Sequence, residues 1–181
     1  MRYLLFFGVL VICGFLPANL VKTKITDGVT VSLPAEFFPM TPDDIAQRLP
    51  SVRAPLGAYT NMDRTVDFSA NISATQWPDG NIEVANGFFR ASLMNLYDRV
   101  DMIEEGIHTL KKKKYIYYEF ESYIKGNKGK LGDEEPVMKY TCIQYLVQPK
   151  RTLVFTFSCP KNMRDEWQET ARAVMNSVRV R

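Results

Sequence analysis

The chain is 181 residues long, with 23 Lys and Arg against 20 Asp and Glu, a single His, three Cys and 46% hydrophobic residues. A formal charge of +3 gives no ground for a nucleic-acid partner, and one histidine excludes a zinc site built on a histidine pair. The length suits one domain with a core of its own.

Arg2 precedes an apolar run from Tyr3 to Leu16, YLLFFGVLVICGFL. At about fourteen residues it falls short of the roughly twenty that a spanning helix needs, so it reads first as a cleaved export signal. Pro17 breaks the run, and Ala18 is a small residue suited to a cleavage site. Cys13 is a candidate for lipidation, although bulky Ile12 stands where a lipoprotein signal needs a small residue. Residues 1–20 are therefore a signal peptide or membrane anchor and 25–181 a single domain. The protein is expected to be exported, whether periplasmic, membrane-associated or secreted.

Val29 to Leu33 alternates and stops at Pro34, as a short strand does, and an irregular Phe37-Phe38-Pro39 segment follows. Thr41 is a suitable N-cap, Pro42 fits the first helical position, and Asp43 and Asp44 favour the positive end of a helix running to Arg48. Leu56 to Thr60 and Thr65 to Trp77 read as strands, with Val66, Phe68, Ala70, Ile72 and Ala74 on a core face. After Pro78-Asp79-Gly80, the spacing of Ile82, Phe89, Leu93, Leu96, Tyr97 and Val100 predicts an amphipathic helix of about fifteen residues.

Strand pattern returns from Met102 to Leu110 and from Tyr115 to Ile124. Between them Lys111-Lys112-Lys113-Lys114 forms either a solvated hairpin tip or a contact for anionic lipid or an acidic partner. Ile116, Tyr118, Phe120 and Ile124 share one side. Tyr115, Tyr117 and Tyr123 share the other, either packed or as an exposed aromatic strip; with the four lysines they make the candidate partner surface. Lys125 to Pro136 reads as a mobile loop, and Gly129-Lys130 lacks the hydroxyl that a phosphate-binding loop requires.

Val137 to Val147 and Thr152 to Cys159 alternate around a turn at Gln148-Pro149-Lys150-Arg151, which predicts a hairpin. A loop at Lys150-Arg151 sets Cys142 opposite Cys159, whereas a shifted register makes them diagonal neighbours. On either register they share a face, so in an oxidising compartment they form a disulfide, or else stay as two buried thiols. After Pro160, the stripe of Trp167, Ala171, Val174, Met175 and Val178 predicts a closing helix that runs into a short extended stub.

Gly28-Val29-Thr30-Val31-Ser32-Leu33-Pro34, the mid-chain helix, the strand Ile116 to Glu121, the segment Leu153 to Pro160 and the last helix with Asn176-Ser177-Val178 together resemble the PsbP/Mog-type fold family, which includes the DcrB-like bacterial envelope proteins. The resemblance implies an α+β architecture, an antiparallel β-sheet flanked by helices as an α/β/α sandwich behind the N-terminal signal segment. It also implies a non-enzymatic binding module, and transfers no individual site residue.

His108 is a poor candidate base with no partner evident in the sequence. Asp43, Asp44, Glu104, Glu105, Glu119, Glu121, Asp165 and Glu166 form carboxylate pairs of a kind that many chains carry on solvated faces. The sequon Asn71-Ile72-Ser73 matters only in a eukaryotic secretory route, whereas the signal and the resemblance point to a bacterial envelope. The reading is thus an exported accessory protein that binds another protein at or near the membrane surface, without catalytic residues, metal, cofactor or nucleic acid. A small-molecule or lipid carrier is the alternative, and a hydrolase with an unrecognised carboxylate site the third reading. A carrier needs a closed apolar cavity between sheet and helices; a binding module needs a solid core and an exposed apolar patch.

Overall fold

The computed structural model describes residues 19–49, 53–77, 79–126, 128–129, 132–133 and 135–181; the Tyr3 to Leu16 run, with Cys13, lies outside them. The chain opens with β1 (Leu20–Thr26), which turns through Asp27-Gly28 into β2 (Val29–Pro34). Gly28 holds φ +80, a left-handed conformation that glycine adopts without steric cost. The expected domain start at residue 25 falls inside β1, so the folded unit begins earlier than the strand pattern from Val29 suggested.

A two-residue β3 (Phe38–Pro39) leads to α1 (Pro42–Arg48). The Thr41 hydroxyl accepts the Asp44 N–H at 3.1 Å and the Asp44 carboxylate accepts the Thr41 N–H at 3.2 Å, a reciprocal cap that starts the helix where the sequence placed it. β4 (Gly57–Thr60) and β5 (Asp67–Ile72) follow, β5 being shorter than its alternating pattern. Next comes α2 (Ile82–Leu96), capped by the Asn81 side chain, which accepts the Val84 N–H at 3.1 Å. Ala85, Phe89 and Leu93 are its buried stripe, whereas Leu96, its last residue, stays 66% exposed.

β6 (Arg99–Leu110) and β7 (Lys113–Ile124) form a long hairpin closed by Lys111 and Lys112 alone, at φ 49 and 68. Two positive φ angles in a two-residue loop give the turn whose twist matches that of the strands. The connecting loop expected from Lys125 to Pro136 contains a small ribbon, β8 (Lys128–Gly129) paired with β9 (Gly132–Asp133). β10 (Val137–Gln148) and β11 (Arg151–Pro160) pair with Gln148 opposite Arg151, so Pro149-Lys150 is the loop. A short turn of helix at Lys161–Met163, α3 (Arg164–Ser177) and β12 (Arg179–Val180) complete the chain.

The strands make a seven-stranded antiparallel sheet in the order β3-β4-β5-β11-β10-β7-β6 and a three-stranded sheet in the order β1-β2-β12. Both faces of the large sheet are covered. On one, Phe68, Tyr115, Tyr117, Tyr140, Phe155 and Phe157 pack under Trp167, Ala171, Val174 and Met175 of α3, with Val29, Val31 and Leu33 of the small sheet. On the other, Ile116, Tyr118, Phe120, Ile143 and Tyr145 pack against Ala85, Phe89 and Leu93 of α2. Phe89 stacks on Tyr145 with ring centroids 4.0 Å apart. The architecture is therefore an α+β sandwich with a solid core on each side of the sheet.

Candidate functional site

The roof over the α3 face overturns the aromatic strip. Tyr115 is 1% exposed and Tyr117 6%, because α3 and the small sheet cover the face they share; alternation defined that face but not what lies on it. Tyr123, at the end of β7, is half-buried. Lys111 and Lys112 form the hairpin tip, whereas Lys113 lies within β7 and its Nζ donates to the Val180 carbonyl at 2.8 Å. Cys142 faces Phe157 and Cys159 faces Tyr140, so the cysteines are diagonal neighbours. Both are buried free thiols.

The densest polar chemistry lies around Glu119, which is fully buried on β7 beneath α3. Arg172 donates from Nε to Oε2 at 2.9 Å and from Nη2 to Oε1 at 3.1 Å, and Gln168 donates to Oε1 as well. The hydroxyls of Tyr117 and Tyr140 donate to the two oxygens at 3.0 and 3.1 Å. Cys142 Sγ lies 3.4 Å from the Tyr117 hydroxyl and 3.0 Å from that of Tyr140.

Burial pushes the Glu119 carboxyl up, but hydrogen bonds from Arg172, Gln168 and Tyr117 outweigh it and hold the group below the usual carboxylate range. Burial likewise pushes the Cys142 thiol up to about 12, where it is neither a thiolate nor a nucleophile at neutral pH. A carboxylate with its oxygens engaged and a protonated thiol do no acid–base work. The cluster instead fastens α3 to the sheet.

His108 is no better placed for catalysis. Its ring stacks on Tyr117 with centroids 4.9 Å apart and its Nε2 lies 3.5 Å from Glu104 Oε1. Among the described residues, no three of His, Cys, Asp and Glu gather as a metal site. Asn71 of the sequon lies in β5 and its side-chain amide donates to Ser69 Oγ at 3.1 Å.

Exposed apolar side chains occur at several places, Met62, Phe88 and Leu96 among them, and those flanked by a charged rim lie where β7 ends and β10 begins. Ile124 and Val137 pair across the ladder on the α2 face and are 42% and 44% exposed, whereas Met138, opposite Tyr123, lies on the α3 face and is 48% exposed. Met138 borders three open clefts. The first, about 610 Å³, adds Pro136, Lys161, Asn162 and Arg164. The second reaches Arg99 and Asp101, and the third reaches Arg48, Asp67 and Lys139. On the rim Glu121 binds Lys161 Nζ at 2.6 Å and Arg164 Nη1 at 2.7 Å. An apolar centre inside a charged rim is the anatomy of a protein-contact surface. Sequence reasoning passed over Val137 and Met138 as ordinary strand residues. The available signal was an apolar pair just after a polar loop, where β10 outruns its cover.

No protein-family model matches the sequence, and no curated protein matches it either. Solved structures do. CyanoP, the PsbP of the cyanobacterium Synechocystis sp. PCC 6803, superposes with a TM-score of 0.60 at 14% identity, over 96% of this chain and 100% of that one. The chain has the PsbP/Mog-type fold. The Saccharomyces cerevisiae Ran-binding protein Mog1p shares this PsbP/Mog-type architecture with a TM-score of 0.54 at 10% identity, over 90% of this chain and 96% of its own. So does LpqN, involved in cell envelope biogenesis of Mycobacterium tuberculosis, with a TM-score of 0.52 at 10% identity over 84% of this chain and 82% of its own.

Proposed function

We propose that this chain is an exported, non-catalytic binding module of the bacterial cell envelope, which engages a partner protein through the exposed end of the β7–β10 ladder around Met138. The observation that carries the reading is exposed Met138 inside a charged rim, with Val137 lining one of its clefts, on a molecule whose large sheet is packed on both faces. Two likenesses support it: LpqN is involved in cell envelope biogenesis and Mog1p is a Ran-binding protein. The clefts beside Met138 are open and charged, which suits a partner's side chains better than a lipid or small-molecule cargo. Engaged carboxylates and protonated thiols give a hydrolase no foothold at Glu119.

The test is recovery of partners from the protein's own envelope fraction, comparing tagged wild type with a Val137→Asp, Met138→Glu variant that melts at the same temperature. Loss of a defined protein from the variant is the expected result. Equal recovery by both removes the proposed surface, and a lipid or small molecule carried by both promotes the carrier reading.

A further inference from the structure

Cations from the two ends of the chain converge on one open cleft. Lys22 and Lys24 of β1 and Arg179 and Arg181 at the C-terminal end line it together. Their convergence follows from the pairing, since Thr30 of β2 lies opposite Lys24 on one side and Arg179 on the other. Among the described residues Asp27 is the acidic side chain lining the cleft, and it pairs with Lys24 at 2.6 Å. Arg179 donates to the carbonyls of Asn176 and Val178 at 2.8 and 2.7 Å, contacts that orient the guanidinium without cancelling its charge.

The lysine hairpin is joined to the strand that bears Arg179. The bond from Lys113 to the Val180 carbonyl ties the β6–β7 tip, which carries Lys111 and Lys112, to β12. Lys113 and Lys114 also line the neighbouring cleft with Gln148 and Pro149, where the β10–β11 turn presents Lys150. Among the described residues, Lys22, Lys111, Lys112, Lys114 and Arg181 pair with no carboxylate.

We propose that this cationic end of the sandwich lies on an anionic bilayer surface. Clustered Lys and Arg beside a membrane-seeking segment are attracted to anionic headgroups, over a distance limited to a Debye length of about 8 Å at physiological salt. This inference rests on the anchor reading of the apolar run, which ends at Leu16 in the sequence with Lys22 following within a few residues on the first strand. That adjacency favours a lipid surface over a free acidic protein. β7 runs from Lys113 at this end to Ile124 at the other, roughly 35 Å at the usual rise of a strand. Docking by the cationic end therefore leaves Ile124, Val137 and Met138 facing the aqueous side.

The test reconstitutes the full chain into vesicles of phosphatidylcholine alone and of phosphatidylcholine mixed with phosphatidylglycerol, and reads amine acylation of each lysine by mass spectrometry. In the anionic vesicles labelling of Lys22, Lys24, Lys111 and Lys112 falls severalfold, while Lys125 and Lys139 are unaffected. Roughly 1 M salt, with a Debye length of about 3 Å, restores it. A Lys111→Asn, Lys112→Gly variant keeps residues that the turn favours, and adding Lys22→Gln and Lys24→Gln removes two further charges. Each cation lost weakens attachment about fivefold, so protection of the remaining Lys113 and Lys114 disappears. Equal labelling in the two vesicles overturns the proposal. So does protection that requires an added acidic protein or nucleic acid, which assigns the surface to that partner instead.

Discussion

Arg172 on α3 places two N–H donors on the carboxylate of Glu119 on β7, a side chain with no exposure at all. The pair joins the terminal helix to the centre of the large sheet, and Gln168 and the Tyr117 and Tyr140 hydroxyls also donate to the carboxylate. Removing one partner of such a pair leaves a buried charge uncompensated. Arg172→Ala should therefore cost about 3 kcal/mol, near the low end for a buried pair because the guanidinium is partly exposed. Urea denaturation of the variant against wild type at neutral pH measures it.

The same network makes the fold acid-sensitive. The Glu119 carboxyl is held below its ordinary value of 4.5 when folded, so it binds protons more readily once unfolded. Its contribution is complete above the unfolded value and is lost as pH falls through the lower folded one. Wild type should thus lose stability between neutral pH and the acid range, and Glu119→Gln should show a flatter profile from a lower starting stability. Parallel profiles for the two proteins would place the acid sensitivity elsewhere.

Burial pushes the thiols of both Cys142 and Cys159 up to about 12. The native protein should therefore be inert to a thiol reagent at mildly alkaline pH, and should take up two equivalents at these positions once unfolded in denaturant. Fast labelling of the folded protein, or a crosslinked Cys142 and Cys159 peptide under non-reducing conditions, would contradict the structure.

Lys111 and Lys112 occupy left-handed backbone at φ 49 and 68, which costs a residue with a β-carbon roughly 1–2 kcal/mol. Asn-Gly is the pair this turn prefers. Lys111→Asn, Lys112→Gly should raise stability by about 1 kcal/mol, part of the relief being offset by the greater freedom of glycine in the unfolded chain. A lower melting temperature would show that the lysines stabilise the tip in some other way.

Exposed Ile124, Val137 and Met138 contribute little to the core. Single polar substitutions there should change stability by no more than about 0.5 kcal/mol while reducing partner recovery, and His108→Ala should leave recovery intact. A collapse in stability at Val137→Asp would mean that the ladder end is structural.

The sequence by itself determined the elements whose causes are local. Thr41, Pro42 and Asp44 start α1 through bonds made within one turn, and Phe89 and Leu93 on α2 and Trp167, Ala171 and Val174 on α3 mark buried stripes by spacing alone. The hairpins around Lys111-Lys112 and Pro149-Lys150 are equally local. β1 was missed because its apolar residues do not keep one face, Val21 being exposed while Leu20 and Ile25 pack on the core, and its partner is fixed by pairing to β2.

Only the tertiary structure decided which face is roofed, and so which aromatic groups meet water. Tyr117 and Met138 both sit on alternating strands, yet one lies under α3 and the other beyond it. It also decided that Lys22, Lys113 and Arg179, far apart in the chain, belong to one surface. Alternation specifies two sides of a strand, but the partners that cover a side, or gather beside it, come from long-range packing that no local pattern encodes.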